Sequence, residues 1–516
     1  MFDSLSPHEA GLRGLASRRF LSAVSAALLL QGANSAQAPT FVRDVKLEPG
    51  GAAHSLVLED GRIVGVLEAD APQPPGVRLV EGAGRLCLPA FVDAFATSGL
   101  VLPELEAEQD RPKDVESDVR IAMREANRKG IQPTFRAATG LELEAPAEAW
   151  RKAGFALAVV SPAGELLAGD GCLVTTRDAA ARDVVLDPEP WGHAAFRASG
   201  PGYPSTLMGY QTQLRQLFLD AERHALLVER QRIDRPGERP AWDPGLDAAG
   251  RFLAGGKRLV CEAETSRDIE RWLRLADEFG LDIAISGGRE AWRVADELAR
   301  RKVPVLLTLD WGDEVEDPDA GQDDDAESES EAESESESES EDAEAVTGDE
   351  PEDAPPERGR RGRGKRGKSG KKATLDERWI YVEPLDVRRE RRRLWEETRD
   401  NALRLHEAGV EFAFGSGADK PSELLTRVRT LVEAGLPRSV ALDALTTTPA
   451  SLLGRGERSG KVARGRDAHF VLWTDDPLTE KQAKAAWILI EGHAVDLEVP
   501  VDDDQADEDE DGDDRR

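Results

Sequence analysis

The stretch Gly84-Arg85-Leu86-Cys87-Leu88-Pro89-Ala90-Phe91-Val92-Asp93 marks the point where the pattern of the chain changes. Before it, short alternating runs are separated by turn residues: 55–59, then Asp60-Gly61, then 62–67. Two alternating runs joined by Asp-Gly predict a hairpin, because the two-residue turn that fits a twisted ribbon needs positive φ at both central positions. After Gly84 the strands become apolar throughout and are separated by helical stretches. Strands are expected at 86–95, 155–161, 258–263, 282–286, 303–309 and 411–416, and helices at 115–129, 211–228, 266–279, 289–301, 390–408 and 421–434. Strands that are apolar on both faces and alternate with helices argue for a parallel α/β barrel, TIM-like (β/α)8, over an open sheet. The last stretch returns to strands at 470–473 and 487–490. The chain therefore comes back to complete the first small domain, a split β-sandwich formed by the N- and C-terminal segments.

Charge divides the chain differently. The sequence has 516 residues and a net charge of −33, yet 23 of its 100 acidic residues fall in 313–357 and 10 in 502–514. Without those two segments and the basic run that follows the first, the chain is only mildly acidic. The Ser-Glu repeat and the Arg/Gly/Lys run at 358–372 lack the apolar residues that would offset their ordering entropy, so 313–373 reads as a disordered insertion within the barrel and 501–516 as a disordered acidic tail. Recruitment of charged partners and weak cation binding are functional readings of the insertion; a tolerated surface insertion is the plainer one. The acidic balance implies long-range repulsion from phosphate, and no nucleic-acid partner is expected.

At the N-terminus, Arg13, Arg18 and Arg19 precede an apolar stretch at 20–30 and an Ala36-Gln37-Ala38 site, the order of a secretory signal. The stretch is too short to span a bilayer, which takes about 20 apolar residues. Export to the periplasm or outside the cell follows as an expectation, by the twin-arginine or the general secretory route. Cys87, Cys172 and Cys261 are scattered, without a CxxC, and read as buried small hydrophobes. The expected layout is a signal at 1–38, the small β domain at 39–87 and 455–500, and the barrel at 88–454.

Gly61 to Val66, Gly84 to Asp93, and the closing set Thr446, Pro449, Ala450, Leu453, Gly460-Lys461-Val462, Gly465, Asp467-Ala468 and Asp476-Pro477 resemble the imidazolonepropionase-like amidohydrolases. The resemblance implies hydrolysis at carbon–nitrogen bonds by one or two divalent metals held at the C-terminal ends of the barrel strands. A bound metal lowers the pKa of its water so that hydroxide attacks a carbonyl. It also implies metal ligands at positions where this sequence has Phe95, Thr97, Glu262, Ser286 and Gly417. Neither phenylalanine nor glycine offers a side-chain ligand.

The seven histidines, at 8, 54, 193, 224, 406, 469 and 493, fall outside the expected strand ends, and each reads as a surface or structural residue. His193 with Tyr203 and Ser205 is a further polar cluster. No cofactor is expected; a divalent metal returns if the ligand alignment is shifted. Glu262, Glu264, Asp310 and Asp419 fall near strand ends, where neighbouring carboxylates can be driven to different pKa values and act as an acid and base pair. Glu262, Asp310 and Asp419 are the candidate catalytic residues; a solvated acidic rim is the plainer reading.

Two functions stay open. One is an exported relative that has lost its metal centre and acts in binding or structure, with a small molecule or protein as partner. The other is a hydrolase of non-peptide carbon–nitrogen bonds working through carboxylates. A converging pocket favours the second, and a site filled by apolar side chains such as Phe95 favours the first. A homodimer is the default assembly.

Overall fold

The computed structural model describes residues 38–102, 129–199, 204–233, 240–320 and 383–498. The expected signal, most of the charged insertion and the acidic tail lie outside these residues. The chain divides into two units, one reaching Asp310 and resuming at Asp400, the other spanning Trp311–Arg399.

The first unit begins with β1 (Thr40–Lys46), β2 (Ala53–Glu59), β3 (Arg62–Glu68) and β4 (Arg78–Pro89). Asp60 and Gly61 have φ of 48° and 74°, so the β2–β3 hairpin turns as its sequence requires. The single strand expected at 86–95 is two strands. Pro89 has no N–H to continue the ladder; Ala90 donates instead to His469 O, and the next strand enters a different sheet.

That next strand is β5 (Phe91–Ala96), followed by β6 (Phe155–Val160), β7 (Gly169–Asp170), β8 (Cys172–Thr175), β9 (Val185–Asp187), β10 (Gly192–Ala195), β11 (Leu259–Ala263), β12 (Ile283–Gly287), β13 (Val305–Leu307) and β14 (Phe412–Phe414). Every residue of β5 and β6 is buried. β10 to β14 run parallel in a six-stranded sheet of order β14-β13-β12-β11-β10-β7, while β5-β6-β8-β9 form a second sheet. Backbone bonds Thr97 N to Gly417 O and Gly417 N to Phe95 O, both 2.8 Å, bridge the two beside β5 and β14. The described strands are therefore mixed α/β, without the single closed ring of eight parallel strands. The departure lies at β7 and β8, which run antiparallel to β10 and β6. Only residues 161–171 separate β6 from β8, too few for the helical crossover that a parallel neighbour needs.

Val92, Ala94, Leu157, Val159, Leu173, Trp191, Val260, Ala284, Leu306 and Ala413 form the core between these strands. The helix Ser266–Phe279 covers β11; Thr265 caps it by accepting the Asp268 N–H at 3.2 Å, and Gly280 at φ 64° ends it. The helix expected at 289–301 is a 3-10 turn, Ala291–Val294, followed by a short helix, Ala295–Arg301.

β15 (Phe470–Trp473), β16 (Ala485–Ile490) and β17 (His493–Asp496) close the unit. They extend the first four strands into one seven-stranded sheet of order β17-β16-β15-β4-β1-β2-β3, where two facing layers were expected. The reason is the length of β4: its first half pairs with β1 and its second half with β15, so both ends of the chain add to one ladder. Cys87, Cys172 and Cys261 are buried and unpaired, as expected.

In the second unit, the helix Leu385–Arg399 takes the first half of the helix expected at 390–408; the rest is Asn401–Glu407 in the first unit. Its Arg389 pairs with Asp319 at 2.6 Å and Arg392 with Glu314 at 3.0 Å, while Trp395 lies 4.7 Å and 5.1 Å from the Arg392 and Arg399 guanidinium carbons. Among the described residues, no helix is long and apolar enough to cross a membrane.

Candidate functional site

Parallel strands place their C-terminal ends together, and loops leaving those ends surround whatever binds there. At the ends of β5, β6, β11, β13 and β14 lies a pocket of about 500 Å³. Glu262, Asp310 and Asp419 all line it, together with Glu264, Arg197, Phe95, Thr97 and Gly417. Ser286 does not line it. Its position is nevertheless in register: Glu262 pairs with Ser286 across β11 and β12, each two residues beyond a core residue, Val260 and Ala284, and so on the same face.

Phe95 is 5% exposed, and the backbone is cut to fit it. A Cβ on Gly415 would lie 2.8 Å from the Phe95 Cβ, N and O, so glycine is required there for the two chains to approach. The Thr97 hydroxyl donates to Gly417 O at 3.0 Å. Beneath Phe95, the fully buried Asp93 fastens β5 to the loop after β14. Its Oδ1 accepts from Ser416 N at 2.9 Å and its Oδ2 from Ser416 Oγ at 2.6 Å and Trp150 Nε1 at 2.9 Å. Burial raises the Asp93 pKa against the lowering effect of those bonds.

The carboxylates are unequally held. Glu262, with 21% of its side chain exposed, accepts from Gly164 N at 2.5 Å and pairs with Arg197 at 2.8 Å; burial raises its pKa and the bond from Gly164, then Arg197, opposes that. Burial also raises Glu264; the hydrogen bond from Arg289 N at 3.4 Å and the Arg289 charge oppose that, and Asp310 and Glu262 add repulsion. Asp419 pairs with Arg427 at 2.5 Å. Asp310 is exposed and makes no ion pair among the described residues. Arg197, the one base lining the pocket among the described residues, was not singled out from the sequence.

His193 corrects the reading of the histidines. It lies within β10, fully buried, its ring 5.8 Å from that of Phe95, and neither ring nitrogen has a partner. Burial, then the charge of Lys257, lowers its pKa to about 3. It forms no cluster with Ser205, which is exposed, and Tyr203 lies outside the described residues. His469 is buried but satisfied, its Nδ1 accepting from Glu491 N at 3.3 Å.

A different charged group sits at the opposite ends of β10 and β11. Asp170, with 1% of its side chain exposed, pairs with Arg251 at 3.0 Å, and Lys257 Nζ lies 2.8 Å from its Oδ1 as an ion pair outside hydrogen-bond alignment. Glu189 joins the group, pairing with Arg251 and Arg136, both at 2.5 Å.

The donor set at the pocket does not fit a resident divalent ion. Phe95 and Gly417 have no ligand atom, the Thr97 hydroxyl is engaged, Ser286 Oγ is enclosed, and His193 lies behind the Phe95 ring. No three His, Cys, Asp or Glu side chains among the described residues are grouped to hold a metal.

Residues 368–495 match the amidohydrolase family. The match covers about a quarter of the chain. A stretch of 44 residues is 52% identical to amidohydrolase tasK of Hapsidospora irregularis, covering 8% of this chain and 4% of that protein. An amidohydrolase from Thermotoga maritima superposes with a TM-score of 0.61 at 18% identity, over 88% of this chain and 99% of that one. At this identity the likeness speaks to the fold alone.

Proposed function

We propose that this chain is an exported, catalytically degenerate member of the amidohydrolase family, a distorted (β/α)8 barrel whose mouth binds a small molecule without hydrolysing it. The observation that carries the reading is Phe95: a buried aromatic ring, with Gly415 shaped around its backbone, stands where the family resemblance places a metal ligand. The pocket above it is retained. Four carboxylates and one arginine line it, so the ligand that fits is a small organic cation, with Glu264 and Asp310 as the acids least committed to protein partners.

The second reading is a hydrolase of non-peptide carbon–nitrogen bonds using carboxylates. The raised Glu262 and Glu264 favour it, since carboxyls driven to different pKa values in one pocket can serve as an acid and base pair. Turnover of amides and cyclic ureides, with and without added zinc or manganese, separates the two. The binding reading expects no turnover above background in either condition. Turnover lost in Glu262→Gln and showing an acid limb in its pH profile would establish the carboxylate enzyme instead.

A further inference from the structure

The longest helix among the described residues, Leu207–Arg232, buries one face through Leu214, Leu217, Phe218, Ala221 and His224. Its outer face repeats: Leu219-Asp-Ala-Glu222-Arg223-His-Ala is followed by Leu226-Leu-Val-Glu229-Arg230-Gln-Arg and then Ile233 at the cap. Leu219, Leu226 and Ile233 are 51%, 59% and 46% exposed, an apolar stripe left open on a helix whose other face is packed. Residues seven apart drift only about 20° around an α-helix, so these three form one line. By the same geometry Glu222 and Glu229 flank the line on one side, and Arg223 and Arg230 on the other. All four are exposed, and Glu229 is held only by a surface pair with Arg232.

We infer that this stripe is a homodimer seam in which two copies of the helix pack in parallel about a two-fold axis along their length. The charge order selects both the occupant and the direction. A parallel two-fold sets the acidic edge of one copy against the basic edge of the other, giving Glu222 to Arg223 and Glu229 to Arg230 in both directions around three apolar layers. An antiparallel pair would set glutamate against glutamate and arginine against arginine. A second copy is thus the partner that neutralises both edges at once. Three layers make a contact smaller than a standard interface, so the dimer is weak, with a dissociation constant on the order of tens of micromolar.

Sedimentation equilibrium of the full chain, over a concentration series, tests this. The expected result is reversible dimerisation, weakened at least tenfold by Leu226→Glu and abolished by either double variant, Glu222→Arg with Glu229→Arg or Arg223→Glu with Arg230→Glu. Mixing the two double variants should restore association as a heterodimer, a result that misfolding cannot mimic. Leu219→Cys should form a disulfide-linked dimer on oxidation, because only the parallel arrangement brings the two Leu219 positions together. A chain that stays monomeric at about 200 μM, whether its stripe is open or covered by another segment of itself, overturns the proposal, as does a dimer indifferent to both double variants.

Discussion

Asp170 and Glu262 stand near opposite ends of the same parallel sheet, and their surroundings differ in kind. Asp170 is enclosed, with Arg251 and Lys257 on it and Arg136 completing the charge balance through Glu189. Around Glu262, four carboxylates line an open pocket with Arg197 as the one lining base among the described residues. A buried charge whose partners are removed costs several kcal/mol, so the first group is fixed by the fold. The second leaves Asp310 exposed and without an ion pair among the described residues, the opening that the proposed binding role uses.

That contrast can be broken in order of effect. Asp170→Ala should cost the most, about 3–5 kcal/mol in chemical denaturation, because Arg251 and Lys257 lose their buried counter-charge. A loss under about 1 kcal/mol would show that the enclosed group is dispensable. Asp93→Ala should cost about 2–3 kcal/mol, since Ser416 and Trp150 are left with unsatisfied buried donors. Loosening of the β5–β14 seam, read as faster hydrogen exchange at Thr97 and Gly417, should accompany it. Glu262→Gln should shift stability at neutral pH by less than about 1 kcal/mol, the pocket end being tolerant.

The sign of the pH effect at Glu262 is opposite to that of an ordinary salt-bridged acid. Its folded pKa is raised by burial, so its stabilising contribution is complete below the unfolded value, near pH 4, and is lost as pH rises through the folded value. Wild type should therefore lose stability relative to Glu262→Gln on going from pH 4 to pH 8. A difference of the reverse sign would mean that Arg197, and not burial, governs this carboxyl.

What the sequence made legible follows the same division. The helix Ser266–Phe279 and the strand Phe470–Trp473 were readable to the residue, because Thr265 and Gly280 cap the one and an unbroken apolar run defines the other. Glu262 and Ser286, positions that only the family resemblance singled out, stand in matching register on β11 and β12. By contrast, β7 to β10 are two to four residues long, and β7 and β10 carry glycine; their direction is decided by the strands they pair with and not by their own residues. His193 was hidden for that reason, since nothing in Trp191-Gly192-His193-Ala194-Ala195 announces a buried strand. The helix expected across 390–408 breaks at Asp400, where a turn interrupts an otherwise continuous helical pattern. Arg197 carries no sequence signal at all; only the fold brings it to Glu262.

The most direct test of the central claim is the elemental metal content of the purified protein, prepared without chelator. A pocket built around Phe95 predicts less than about a tenth of an equivalent of any divalent ion, because a working metallohydrolase must hold its ion in place. Close to one equivalent of zinc, manganese or calcium would contradict the account and reinstate a metal centre at these strand ends.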